Sequence, residues 1–294
     1  MDLEAGASRG GYVNWVTSSL KVKWMLSKRD DRDQFFSVSL DGRFLYADVM
    51  VVLHIPEKGT NPIEGYLIVK GMKHPKFLIA ISETNAEIVR KRYPDKEIHI
   101  VRPGIEAHPY IEHSKSDGII ISNIGGLSQK RSRRLPMLQV PKQIREALGD
   151  QKITFIHIGG KDTDNERQLR QECLNYNIEP IFKSNVPVSE IWDTYAKSDL
   201  YIYMSLEEGY SLTPMEALMM GVPCLISDIP VHREVYSNKE GVKFAENWKV
   251  TPDLIRGAIS LGINKSYRDQ VMDRTWDDAI EELDKVLRDI SEKI

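Results

Sequence analysis

From Gly118 onward the chain repeats one unit, a short apolar run followed by a stretch with helical spacing. The runs are residues 118–126 (GIIISNIGG), 152–160 (KITFIHIGG), 178–184 (IEPIFKS), 199–205 (DLYIYMS) and 222–228 (VPCLISD). A strand with one wet face alternates apolar and polar residues. These runs are apolar nearly throughout, so both faces must be covered. Between them, residues 135–148 are helical in part, residues 165–177 read as an amphipathic helix, and residues 189–198 as a helix capped by Ser189. Buried strands alternating with helices dictate an α/β fold with a parallel sheet between helical layers. In such sheets ligands bind at the carboxyl ends of the strands. Two runs end there in Gly-Gly, at Gly125-Gly126 and Gly159-Gly160, and the fourth leads into the segment richest in functional residue types.

That segment, residues 207–221, reads EEGYSLTPMEALMMG. Glu208 and Glu216 stand in an E-x7-E spacing, with Gly209, Ser211 and the Thr213-Pro214 pair between them. Thr213 fits an N-cap, Pro214 the first helical position and Gly221 the residue after the last turn. A small-residue loop entering a helix leaves backbone N–H groups directed at whatever sits above, and these favour an anion. Phosphates on amides and sugar hydroxyls on carboxylates together suit a nucleotide-sugar. The structural competitor is a capping box, in which Glu216 reaches back to the N–H of Thr213.

Composition excludes more than it identifies. The 294 residues suggest roughly two domains on the usual prior of about 100–200 residues each. The net charge of −3 does not mark a nucleic-acid binder. No apolar run reaches the roughly 18 residues of a membrane span, and no secretory leader pattern opens the chain. Two cysteines, Cys173 and Cys224, fit neither a disulfide scaffold nor a zinc pattern. The reading is a cytoplasmic protein with reduced thiols. Trp15 and Trp24 amid Lys21, Lys23 and Lys28 leave peripheral membrane contact open beside packing in their own domain.

In the N-terminal part, residues 47–55, 76–82 and 97–104 read as strands and 83–93 as a helix. Residues 35–47 resemble a hairpin turning at Asp41-Gly42, and residues 1–46 as a whole are ambiguous. The expected division is a small domain over 1–112, with a polar linker at 108–117, a larger domain over 113–274 and a C-terminal helix from 275.

Set side by side, these segments resemble the retaining glycosyltransferases of family 4, which have the GT-B fold. Residues 77–93 followed by 98–106 resemble that family's serine-capped helix and the strand exit after it. Residues 195–235 resemble its donor block, with glycine, proline and both glutamates in order. Residues 275–287 resemble its C-terminal helix led by a tryptophan, here Trp276, which in the family crosses back onto the N-terminal domain. The resemblance implies two Rossmann-like domains with parallel sheets facing a cleft. It implies transfer of a sugar from a nucleoside diphosphate-sugar to a hydroxyl of a sugar, lipid or protein acceptor, with retention, without a metal and without a cofactor. Glu216 would hold the ribose hydroxyls and Glu208 the donor sugar. The amides of Gly209, Tyr210, Ser211 and Leu212 would contact the sugar and diphosphate at the Gly125-Gly126 exit, and the base would lie against Asn185-Val186. Lys130 or Arg131 would neutralise the leaving diphosphate, a role that acts mainly on the transition state. His54, at the end of residues 47–55, would stand near the donor sugar; a histidine satisfied within its own core is the alternative.

The chain departs from the family pattern in three places. The family's G-R-L strand exit is Gly125-Gly126-Leu127 here, so its arginine is missing and the cations of residues 129–134 (QKRSRR) are the candidates to replace it. Ser211 stands where the family commonly has glycine. The N-terminal domain is short. Two other classes remain open: another GT-B enzyme, such as an epimerase or a phosphorylase, and a non-catalytic module binding nucleotide-sugar or nucleic acid.

Overall fold

The computed structural model describes residues 36–38, 49–52, 75–114, 116–127, 136–159 and 164–293. His54, Lys130 and Arg131 lie outside them, as do Gly160, the Asp41-Gly42 turn and both N-terminal tryptophans. The chain forms two compact units, one of residues 1–102 with 280–294, the other of 103–279.

The first unit holds a parallel four-stranded sheet in the order β1 (Phe36–Val38), β2 (Val49–Val52), β3 (Phe77–Ala80), β4 (Glu97–Ile100). Helix α1 (Glu83–Arg92) connects β3 to β4; the Ser82 side chain accepts from the Asn85 N–H at 3.0 Å, satisfying one of the free donors of the first turn. One face of the sheet buries Val52 and Leu78 against Val89 and Tyr93. The other buries Val49, Val51, Phe77 and Ile79 against Ile290, with Leu283, Val286 and Leu287 beside it. The chain's C-terminal residues thus complete this unit's core. β1 pairs in parallel with β2; the second arm of the expected hairpin lies outside the described residues.

The second unit holds a parallel six-stranded sheet. In chain order its elements are β5 (Ile119–Ile124), α2 (Val140–Leu148), β6 (Ile153–Gly159), α3 (Asp164–Asn175), β7 (Glu179–Ser184), α4 (Val188–Lys197), β8 (Leu200–Tyr203), α5 (Thr213–Met219), β9 (Cys224–Ser227), α6 (Pro230–Tyr236), β10 (Val242–Ala245), α7 (Pro252–Ile259), α8 (Ser266–Asp269) and α9 (Trp276–Ser291), the last running on into the first unit. The spatial order is β10-β9-β8-β5-β6-β7. The chain lays β6 and β7 on one side of β5, then returns to lay β8, β9 and β10 on the other. The winding reverses between β5 and β8, the switch point at which open α/β sheets leave a crevice at their carboxyl edge. The α/β, GT-B-like class expected from the sequence is the fold observed.

Several local expectations need correction. Strand β10 escaped the sequence reading because its run VKFA is short and half-buried. Helix α4 starts at Val188 behind Pro187, whose fixed φ of −62° presets the entry, and Ser189 makes no capping bond. Residues expected as a polar linker pack on the second unit instead: His108 stacks on Trp192 with ring centroids 4.3 Å apart, and Lys265 sits over Tyr110.

Candidate functional site

The loop after β8 is built on a row of aromatic rings. Tyr195, Tyr201, Tyr203, His232 and Tyr236 follow one another at centroid spacings of 5.6, 6.2, 6.0 and 6.0 Å. Such contacts stabilise by roughly 0.5–1.5 kcal/mol each beyond their buried area. They also leave each polar tip a fixed direction. Burial pushes the Tyr195, Tyr201, Tyr203 and Tyr236 hydroxyls well above their usual pKa, so all four stay protonated donors.

Each tip meets the loop, the helix α5 that follows it or the end of β5. Tyr195 donates to Glu216 Oε2 at 2.9 Å, and Tyr203 donates to Glu208 Oε1. Tyr201 donates to the Ile124 carbonyl at 2.9 Å. Its single proton being used there, it accepts from the Thr213 hydroxyl, also at 2.9 Å. Tyr236 donates to the Ser211 carbonyl. His232 Nδ1 lies 2.7 Å from the Ser227 carbonyl, which can only accept, so Nδ1 carries the proton and Nε2 accepts from the Ser211 hydroxyl at 2.9 Å. Burial lowers the His232 pKa to about 4, which keeps this ring neutral and its tautomer fixed.

This arrangement rules out the capping box at Glu216. The N-cap of α5 is Leu212, not Thr213, which is the first helical residue. Its hydroxyl is taken by Tyr201, so no capping box forms, and the Glu216 carboxylate goes to Tyr195 instead. At the other end Gly221, with φ of 75°, gives its N–H to the Leu218 carbonyl, while Val222 gives its own to Ala217. This paired closure stops α5 where the sequence placed its end. Burial raises the Glu216 pKa; the Tyr195 bond lowers it and the nearby charge of Glu106 raises it again.

Ser211 has φ of 70°. The left-handed region costs an L-residue roughly 1–2 kcal/mol, which is why glycine suits such a position. Here the bonds to His232 and Tyr236 offset that cost. Gly125 has φ of 135°, and a Cβ there would stand 3.4 Å from Tyr203 Cε2. The β5 exit and the ring that holds Glu208 are therefore neighbours. Gly126 has open space around it. Asn185, with φ of 54°, turns the chain out of β7 toward Val186, two strands away from β5 on the same edge.

The structure thus brings Gly125, Glu208, Ser211, Thr213 and Glu216 into one frame, and sets Asn185 and Val186 farther along the edge. Gly209, Tyr210 and Leu212 complete the loop between the glutamates. The supporting rings were missed from sequence. Their signal was present: tyrosine at 201 and 203 in a strand otherwise apolar, and tyrosine or histidine at 195, 232 and 236.

Comparison with known proteins follows the same segment. Residues 115–288 match the model of the family described as glycosyl transferases group 1. The chain belongs to that family. It is 22% identical over 182 residues to the O-antigen chain mannosyltransferase RfbU of Salmonella typhimurium, a match covering 59% of this chain and 48% of that protein. The chain therefore spans about half the length of this curated relative. Among solved structures, the Candida albicans trehalose-6-phosphate phosphatase N-terminal domain superposes with a TM-score of 0.70 at 11% identity, covering 100% of this chain and 78% of the other. Sucrose-phosphate synthase from Thermosynechococcus elongatus gives 0.66 at 14%, covering 95% and 73%. These likenesses speak for the fold.

Proposed function

We propose that the protein is a retaining glycosyltransferase of family 4 that moves a sugar from a nucleoside diphosphate-sugar to an acceptor hydroxyl. The observation that carries this reading is the pairing of Glu208 with Tyr203 and Glu216 with Tyr195 beside the switch point of the sheet. Two carboxylates, Glu208 in the loop and Glu216 in the first turn of α5, are each held by a tyrosine hydroxyl, so their free oxygens are set before a ligand arrives. Fixed groups spend no free energy on reorganisation when charge develops.

Glu216 receives the ribose hydroxyls and Glu208 a hydroxyl of the donor sugar. The loop amides of Gly209 to Leu212 face the sugar and diphosphate, Gly125-Gly126 gives the diphosphate close backbone approach, and the base lies along Asn185-Val186. Lys130 or Arg131 neutralises the departing diphosphate in place of the arginine that Gly126 replaces. In this reading no covalent nucleophile, metal or cofactor takes part, and positioning and electrostatics carry the reaction. The smaller unit, with His54, takes the acceptor side. The acceptor is a sugar, lipid or protein hydroxyl, and the relative's name places a mannose-bearing donor in the first trials.

The test is incubation with UDP-, GDP- and ADP-sugars, with and without acceptor glycosides. Acceptor-dependent release of nucleoside diphosphate supports the reading. Interconversion of donors with no acceptor, or a requirement for inorganic phosphate, would assign an epimerase or a phosphorylase instead.

A further inference from the structure

Beneath the exits of β5 and β6 lies a polar cluster in an otherwise apolar layer. Asn123, His157 and Glu166 are 1, 1 and 7% exposed. Burying polar side chains is unfavourable unless their hydrogen bonds are made. Their directions are forced. The Asn123 amide nitrogen gives a hydrogen to the Ile202 carbonyl at 2.8 Å, so its oxygen faces His157. That oxygen lies 2.8 Å from His157 Nδ1, which must therefore carry a proton. Nε2 then points at Glu166 Oε1, 3.5 Å away and just beyond a good hydrogen bond. With Nδ1 protonated, a neutral imidazole and an ionised carboxylate would face each other as two acceptors. One proton between them removes the conflict, whichever atom holds it.

The cluster joins four elements. Asn123 and His157 are register partners on β5 and β6, Ile202 belongs to β8, and Glu166 to the first turn of α3. It also shapes the exit of β6. A Cβ on Gly159 would fall 2.4 Å from His157 Nε2 and 2.6 Å from Glu166 Oε1, so the pair fills the space that any side chain would need. Next to it, the Gly125 N–H is given to the Ile158 carbonyl at 2.9 Å, tying the β5 exit to the residue after His157.

We propose that Asn123, His157 and Glu166 are positioning residues for the diphosphate edge of the donor site, locked by one proton held between His157 Nε2 and Glu166. This rests on the donor reading given above. Among the described residues, the groups facing His157 are Asn123 from β5, Glu166 and Arg170 from α3, and the Phe182 ring of β7 at 5.1 Å, itself covered by the Arg170 guanidinium. Burial lowers the His157 pKa and the Glu166 contact raises it; loss of the shared proton as pH rises leaves two facing acceptors and loosens the first turn of α3 from the glycine exits. Nucleoside diphosphate affinity then falls as pH rises. In Glu166→Gln an amide can donate to Nε2 with no titrating proton, so the lock survives and its pH dependence goes. Glu166→Ala removes the partner and weakens binding about tenfold at every pH.

Two measurements on the full chain test this. Long-range nitrogen–proton spectra between about pH 5 and 9 read the tautomer and charge of His157, assigned by its disappearance in His157→Gln. Titration with UDP, GDP and ADP over the same range reads the affinity. A protonated Nδ1 throughout, a titrating Nε2 signal that Glu166→Gln abolishes, and a matching loss of affinity as pH rises are the expected results. An Nε2–H tautomer, or a Glu166→Gln protein that titrates as the native one does, would overturn the proposal. Absence of nucleotide binding at every pH, with the His157 behaviour intact, would sink the donor reading while leaving the proton lock standing.

Discussion

Tyr195→Phe isolates the bond that sets Glu216. The substitution keeps every ring carbon, so the contacts with Trp192 and Tyr201 persist and the packing change is small. What is lost is one phenol hydrogen 2.9 Å from Glu216 Oε2. A hydrogen bond to a charged group contributes roughly 1.5–3 kcal/mol, and less is recovered from water where the acceptor is buried. Taking the lower figure, nucleoside diphosphate affinity should fall about tenfold. The pH dependence gives a second handle. Burial already raises the Glu216 pKa, and the Tyr195 bond holds it down. Without that bond it rises further. A carboxyl raised in the folded state contributes stability below its unfolded pKa and loses it as pH rises through the folded value. Tyr195→Phe should therefore be less stable than the native protein at neutral pH, with the gap closing as pH falls toward the ordinary glutamate range. Isothermal titration for affinity and denaturant unfolding at several pH values for stability are the assays. Unchanged affinity together with a pH-independent stability difference would refute the claim that Tyr195 sets Glu216.

Tyr203→Phe should separate the glutamates: turnover of an intact nucleotide-sugar falls, while free nucleoside diphosphate binds nearly as before, because Tyr203 holds Glu208 and not Glu216. Steady-state kinetics beside calorimetry checks this. His232 has its folded pKa depressed to about 4, so the stability it contributes is complete above its unfolded value and is lost as pH falls through about 4. The depression corresponds to about 3 kcal/mol, and His232→Gln should flatten the acid limb of unfolding measured by circular dichroism.

Much of the second unit was legible in the sequence because its inner strands are covered on both faces, which removes the ambiguity of alternating patterns. Runs such as IIISNI and ITFIHI have few other places to go. β10 was missed because a half-buried edge strand of four residues carries little of that signal. At the site, residue types and spacing were legible but the frame was not. Thr213 and Glu216 have the spacing of a capping box, and local propensity favours one. Tertiary contact overrides it, since Tyr201 and Tyr195, distant in sequence, offer both side chains better partners. Ser211 shows the same limit: its left-handed backbone is tolerated because His232 and Tyr236 hold it, and neither lies nearby in the chain. The loss of the family's arginine at Gly126 was visible from sequence alone, whereas the candidates to replace it, Lys130 and Arg131, lie outside the described residues.

The central claim is that Glu216, set by Tyr195, receives the ribose of a donor nucleotide. Calorimetric titration of the native protein and Glu216→Ala with UDP, GDP and ADP tests it most directly. At least one nucleotide should bind the native protein and lose about tenfold or more in affinity to Glu216→Ala, the cost of a carboxylate bonded to ribose hydroxyls. Equal affinity for the two proteins, or no binding of any of the three to the native one, would contradict it.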